Sequence, residues 1–342
     1  MGTRKPRARS GEATLRDVAK AAGVSIWTAS TTFSNPTRVA EPTRQRVLAA
    51  AHALDYMGPH PGARSLARGR TGMIAFAAPG DAEALLGDAA AALVARGLLT
   101  ACDRAGLSLV LTGRPAGETV DGRVFFRAAG GPLPRAPAVV VDGAAPAGVP
   151  VVAADVRGAA AELAALLFDL GHRDLAVLSW PGAEERLAGV AEGWRGPGPL
   201  TVYGVGAPGQ EEGSMPWVAG GAAWPTHAVG EAAARAALSR RPRPTALLAL
   251  SDNLAIGALQ AADWMGLAVP GDVSVAGLDD LPGSDALGLT TAFVPYRPLG
   301  ERAGDLLAAL LAGSPAPSLR DLPTALTVRR STGPPPSSAR GG

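Results

Sequence analysis

The chain has 342 residues, 47% of them hydrophobic but only 4% aromatic, with 44 Gly and 30 Pro, which is enough for two or three domains packed largely by alanine. No apolar run reaches the roughly 18 residues that a membrane helix needs, and the basic start MGTRKPRARSGEA has no apolar stretch behind its charges, so a secretory signal is excluded and a cytoplasmic location is expected. The single cysteine, Cys102, excludes an internal disulfide and reads as a small buried hydrophobe.

Charge is divided unevenly. Residues 1–70 hold 12 Lys and Arg against 4 acids, a net of +8, whereas the whole chain is +2, so residues 71–342 carry −6. A basic head on an acidic body points to a polyanion partner bound at one end. A solvated basic tail accounts for Arg4–Arg9, not for positive charge that continues as far as Arg70.

In chain order, residues 1–12 form a basic arm expected to be disordered. The stretch TLRDVAKAAGVSIWTASTTFSN, Thr14–Asn35, then predicts two short helices and a tight turn. Thr14 and Asp17 have the capping-box spacing, and Leu15, Val18, Ala19 and Ala22 share one helical face. Gly23 supplies a positive φ at the stop, and Ser25 is placed to cap a second helix to about Phe33. This is either a helical hairpin or a DNA-reading helix-turn-helix, whose second helix would turn Ile26, Trp27 and Thr31 to base edges. Pro42 starts a third helix to about Leu54 and completes a headpiece, residues 1–58. Residues 59–71 follow as a hinge, with Ala63–Arg68 helix-prone but too short to be stable alone.

From Gly72 strands alternate with helices: MIAFAAP, a helix through Leu85–Ala105, LSLVLTG, a poorly patterned region holding Phe125 and Phe126, AVVVDG and PVVAAD. The rhythm repeats with helix Ala159–Leu170, strand LAVLSW, helix Glu184–Gly193, strand LTVYGV, helix Gly230–Ser239, strand ALLALSD, helix Asn253–Gly266 and strand VSVAGLDD. Short apolar runs bounded by Gly and Pro between helices predict an α/β protein with doubly wound parallel sheets. The tail 333–342 has no leucine heptad and is expected to be disordered.

Enzyme and metal signatures fail. Gly204–Gly209 fits GxGxxG after a strand, yet Pro208 and the following QEEGSMP deny it the helix that holds a pyrophosphate. No GxSxG elbow or Walker loop occurs, and His52, His60, His172 and His227 lack metal-ligand spacing, so no cofactor and no metal is expected. His172 reads as a structural cap before a strand.

TLRDVAKAAGVS, the hinge-like YMGPHPGARSLARGRTG, LGHRDLAVLSWPG, ERLAG, SDNLAIGAL, PGDVSVAGLDDLP, LTTAFVPYRPLGERAGDLL and LPTALTVRRST together resemble, in order and over nearly the whole chain, the lactose-repressor/galactose-repressor (LacI/GalR) family of bacterial transcription regulators. The resemblance implies a helix-turn-helix headpiece on a two-lobed core like that of the periplasmic binding proteins. It places the first lobe at about 72–155 plus 292–315 and the second at about 156–290 plus 320–332. It implies a homodimer acting as a repressor on double-stranded operator DNA, with no membrane partner, controlled by a small effector, most often a sugar, held between the lobes. DNA contact then falls to Thr14, Leu15, Arg16, Ser25, Ile26, Trp27, Thr28 and Thr31, with Arg64 and the minor-groove wedge Leu66 in the hinge. Effector contact falls to Arg186, Trp217, Ser251, Asp252 and Asp279, near the carboxyl ends of strands where open α/β sheets bind ligands.

Other roles compete at each position: Arg186 pairing locally with Glu184 or Glu185, the aspartates capping helices, Trp217 filling core. The chain also departs from the family where relatives read Val-Ser-Arg: it has Ala29-Ser30-Thr31, and Thr has no bidentate pair with guanine. A transporter's solute-binding protein and an enzyme on an α/β scaffold are the rival classes. The basic headpiece argues against the first and the missing catalytic constellation against the second.

Overall fold

The computed structural model describes residues 13–56, 70–77, 82–112, 120–128, 133, 137–197, 200–204 and 224–336. The basic arm, the hinge segment 63–68 with Arg64 and Leu66, the residues around Trp217 and the last six residues of the tail lie outside that set. The chain divides into two compact units, residues 1–71 and 72–342.

The first unit is a three-helix headpiece. Helix α1 (Leu15–Ala22) opens with the capping box, Asp17 N–H donating to Thr14 Oγ1 at 3.3 Å and Thr14 N–H to Asp17 Oδ2 at 2.9 Å. It stops at Gly23 (φ 64°), whose left-handed backbone suits glycine. Helix α2 (Ile26–Ser34) is capped by Ser25 Oγ, which accepts from Thr28 N–H at 3.0 Å, and α3 (Glu41–Ala53) has Pro42 in its first turn. Val18, Ala19, Ala29, Val47 and Ala51 close a small common core.

The second unit is α/β with two parallel sheets. The first contains β1 (Met73–Ala77), β2 (Ser108–Thr112), β3 (Gly122–Phe126), β4 (Ala138–Val141), β5 (Val151–Ala154) and the late strand β11 (Leu319–Leu322), in the order β11-β5-β4-β3-β1-β2. The second orders β6 (Leu175–Ser179), β7 (Thr201–Gly204), β8 (Ala246–Ala249) and β9 (Ser274–Ala276) as β7-β6-β8-β9. A two-stranded antiparallel ribbon, β10 (Thr291–Phe293) with β12 (Ala325–Thr327), accompanies them. Strands β3, β4, β6 and β8 are buried throughout, as expected of parallel strands covered on both faces.

The helices pack in pairs. After the short α4 (Ala82–Gly87), α5 (Ala89–Ala105) lies against α11 (Tyr296–Leu311) in the first lobe. In the second, α6 (Val156–Asp169) lies against α7 (Glu184–Gly193), and α8 (His227–Ser239) against α9 (Asp252–Trp264), with the single-turn α10 (Ser284–Leu287) beyond. The first pair meets at glycines: a Cβ on Gly97 would stand 2.1 Å from the Arg297 carbonyl oxygen, and one on Gly300 equally close to that of Val94.

Four expectations are corrected. Residues 319–322 belong to the first lobe's sheet, not the second lobe, because β11 pairs with β5 as its edge neighbour. The poorly patterned stretch with Phe125 and Phe126 carries β3, an interior strand buried throughout whose apolar run is only Val124–Phe126, after the buried Arg123. The helix expected over Leu85–Ala105 is two, broken at Asp88, whose carboxylate caps α5 by accepting from Ala91 N–H at 3.0 Å. His172, expected as a cap, is instead a buried cross-link: Nδ1 bonds Thr245 Oγ1 at 2.8 Å and Nε2 the Gly333 carbonyl at 2.9 Å. No helix among the described residues is long and apolar enough to cross a membrane.

Candidate functional site

Two sites emerge, one in each unit. On the headpiece, Ile26 (47% exposed) and Trp27 (70%) stand outward at the first turn of α2, and Thr14 and Arg16 are exposed on α1. Leu15 is half-buried against the headpiece core, Ser25 is the helix cap and Thr28 shares a hydrogen bond with it. Thr31 was expected at the base-reading face and is not there: it is 8% exposed, and its hydroxyl donates to the Trp27 carbonyl at 2.8 Å. A short threonine folds back onto its own helix where a long side chain extends past it.

The second site is a buried polar network spanning the two lobes of the core. The first lobe supplies Asp88 at the start of α5, Arg127 directly after β3, Asp142 directly after β4 and Tyr296 at the start of α11. The second supplies Arg186 from α7, Ser251 after β8, Asp279 after β9 and Trp224 ahead of α8. Four of these eight, Arg127, Asp142, Ser251 and Asp279, follow the carboxyl ends of parallel strands, the usual ligand position of such sheets. Five non-glycine residues among those described have positive φ, and four, Arg127 (52°), Asp142 (51°), Asp279 (141°) and Asp280 (51°), lie here. Backbone in that region costs energy and persists where surroundings over-determine it.

Arg186 is the hub. One terminal nitrogen donates to Asp279 Oδ1 at 2.8 Å and to the Leu250 carbonyl at 2.7 Å, and the other to Asp142 Oδ2 at 2.8 Å and Tyr296 Oη at 2.9 Å. Arg127 reaches Asp142 at 3.2 Å, Asp88 and Asp279 each at 3.4 Å, and Tyr296 Oη at 2.8 Å. The Tyr296 hydroxyl accepts from both guanidiniums and gives its one hydrogen to the nearest carboxylate oxygen, Asp279 Oδ1 at 2.5 Å. Trp224 Nε1–H donates to Asp88 at 2.7 Å, and Ser251 Oγ–H to Asp279 Oδ2 at 3.0 Å. Aromatic rings face the cations, with the Arg127 guanidinium 4.9 Å from the Phe126 centroid and both arginines 5.2 Å from that of Trp180.

Burial penalises charge on Asp142, but Arg186 and Arg127 outweigh it and hold that carboxyl below its ordinary range. Burial also pushes the Tyr296 phenol well above its usual value, so it stays neutral. Two cations therefore face three carboxylates, Asp88, Asp142 and Asp279. Two cavities open onto the network: one of about 650 Å³ touching Asp142, Trp180 and Arg186, and one of about 370 Å³ touching Asp88, Trp224, His227 and Asn253.

Sequence reasoning placed Arg186, Ser251 and Asp279, which the fold brings together, with Arg186 bound to Asp142 and Asp279 rather than to Glu184 or Glu185. Asp252 differs from expectation. It accepts from Thr291 and Ser284 hydroxyls at 2.6 Å each and from Leu281 N–H at 2.9 Å, all within its own lobe, which gives it a structural role. Asp88, Arg127, Asp142, Trp180, Trp224 and Tyr296 were missed. Asp142 and Trp180 lie at the ends of the predicted strands AVVVDG and LAVLSW and directly follow β4 and β6, a signal available in the sequence, whereas Arg127 follows the strand that had no pattern. Trp217, expected as the aromatic wall, lies outside the described residues, and Trp224 is an aromatic that does reach the network.

Residues 14–58 match the family model of bacterial regulatory proteins, lacI family, and residues 164–332 that of a periplasmic binding protein-like domain. The HTH-type transcriptional regulator Rv3575c of Mycobacterium tuberculosis is 33% identical over 96% of this chain and 99% of its own. The HTH-type transcriptional repressor PurR of Salmonella paratyphi B is 33% identical over 86% of this chain and 89% of its own. Among solved structures, the transcriptional regulator CelR in complex with cellobiose superposes with a TM-score of 0.64 at 26% identity, covering 94% of this chain and all of that one. The lac repressor dimer bound to operator and the anti-inducer ONPF gives 0.73 over 94% of this chain and 99% of that one, a likeness of fold at 24% identity.

Proposed function

The chain belongs to the lacI family of bacterial regulatory proteins and is a DNA-binding transcription regulator, and from that premise we propose that it is a homodimeric repressor whose operator affinity is set by an uncharged polyhydroxyl effector, most simply a sugar, bound between the lobes of its core. The observation that carries this reading is Arg186, whose guanidinium joins Asp142 of one lobe to Asp279 of the other inside a buried network. A ligand entering there replaces hydrogen bonds between the lobes with its own and so biases their arrangement. The forked donors of arginine and the carboxylate acceptors suit vicinal hydroxyls. An anion meets three carboxylates against two cations and is disfavoured. The structural neighbour that holds cellobiose supports a carbohydrate.

In the headpiece, Thr14, Leu15, Arg16, Ser25, Ile26, Trp27 and Thr28 form the proposed DNA face, with Arg64 of the hinge as a further DNA contact and Leu66 as the minor-groove wedge. Two headpieces read half-sites about one helical turn apart. The test is selection of fragments from the source genome by the purified full chain at fixed salt. Enrichment of a palindrome supports the reading. Binding without sequence preference, with and without added sugars, overturns it.

A further inference from the structure

Helix α2, with the sequence IWTASTTFS, carries no charged side chain and no amide. Three of its hydroxyl hydrogens are turned back onto the helix: Thr31 donates to the Trp27 carbonyl at 2.8 Å, Thr32 to that of Thr28 at 2.9 Å and Ser34 to that of Ser30 at 3.0 Å. Thr28 Oγ1 is engaged with the Ser25 cap at 2.8 Å. What the first turn presents outward is apolar, Ile26 and Trp27, 47% and 70% exposed. The bidentate pairs that identify guanine (Arg, Lys) and adenine (Asn, Gln) are therefore unavailable to this helix. The indole Nε1–H of Trp27 is one donor, which guanine, adenine and thymine acceptors satisfy alike, so it discriminates little. One group in the major groove is itself apolar, the C5 methyl of thymine.

We infer that this headpiece reads its operator through thymine methyl groups, with Ile26 and Trp27 as the specificity-determining residues and thymine at the half-site positions that face them. The inference rests on the regulator reading above. Charge is supplied by flanking elements instead, since Arg16, Lys20, Arg38 and Arg46 are exposed outside α2. Those side chains suit phosphates, which give affinity and salt dependence without sequence information.

The experiment compares duplexes of the selected operator in which each thymine in turn, then all in one half-site, is replaced by deoxyuridine. The hydrogen-bonding edge is unchanged and only the methyl is lost. Full-chain protein is titrated by fluorescence anisotropy at fixed salt. Burial of one methyl corresponds to about fourfold in affinity, so loss of two contacted methyls per half-site is expected to weaken binding about tenfold or more. In Ile26→Ala and Trp27→Ala the deoxyuridine penalty at the facing position disappears. Both side chains are exposed, so the headpiece is expected to keep its fold, checked by circular dichroism and thermal unfolding. Equal affinity for thymine and deoxyuridine duplexes overturns the inference. A penalty undiminished in both variants also overturns it, because the methyl is then sensed elsewhere. Failure of the regulator reading is distinguishable, since unsubstituted DNA then shows no preferred sequence.

Discussion

Arg186 and Asp142 come from different lobes and meet in a 2.8 Å ion pair whose side chains are 3% and 6% exposed. Removing Arg186 leaves the buried Asp142 and Asp279 without their closest cation, and breaking a buried pair in this way costs about 3–5 kcal/mol. Arg186→Ala should lower the stability of the core by that order, read from urea unfolding. Asp142→Ala combined with Arg186→Ala should cost less than the sum of the singles, because both remove the same bond. Strict additivity would show that the pair is not coupled.

Trp224→Phe separates the indole hydrogen bond from its ring. The edge contact with Phe126, centroids 5.9 Å apart, is retained, while the 2.7 Å bond to Asp88 is lost. A loss of about 1–3 kcal/mol follows from leaving a buried acceptor short of a donor. An unchanged melting temperature would mean that Asp88 is satisfied without it.

Asp252 gives a pH dependence of definite sign. Burial first, and then the nearby Asp279 charge, raise its carboxyl from 3.8 to about 6. The folded state thus holds a proton that the unfolded state releases, and this group's contribution to stability falls as pH rises between about 4 and about 6. In Asp252→Asn that part of the slope should vanish. Comparing wild type and variant by thermal unfolding from pH 4 to 7 checks this, and parallel curves would contradict it.

The crossing of α5 and α11 depends on the absence of a side chain. A Cβ at Gly97 meets backbone at 2.1 Å, whereas one at Gly87 meets nothing within 4 Å. Gly97→Ala should destabilise by about 1–3 kcal/mol or more, and Gly87→Ala should be close to neutral. Calorimetry of the two variants distinguishes a packing effect from a general cost of replacing glycine.

The elements with local signals were legible in the sequence. Thr14, Gly23 and Ser25 fixed the headpiece turn through capping chemistry, and the strands ending at Asp142, Trp180 and Ser251 stood out as short apolar runs. Strand β3 did not, because Gly122 and Arg123 leave it an apolar run of only three residues, and Arg127 was hidden with it. The placement of β11 was equally unreadable: its half-exposed LRDL joins a sheet whose other strands lie more than 160 residues earlier, and only tertiary pairing decides that. Arg186 and Asp279 were found through family resemblance. Their partner Asp142, at the end of a predicted strand, was open to the same strand-end argument that pointed to Asp279.

The central claim is that the cleft around Arg186 controls operator binding, and linkage tests it most directly. Operator affinity of the full chain would be titrated at fixed salt against a panel of neutral sugars, including ribose and cellobiose, with Arg186→Lys alongside. The account predicts that one sugar shifts operator affinity, that operator shifts the affinity for that sugar by the same factor, and that both effects shrink in Arg186→Lys, whose ammonium lacks the fork that spans Asp142 and Asp279. A sugar that binds the cleft while operator affinity stays constant would contradict it.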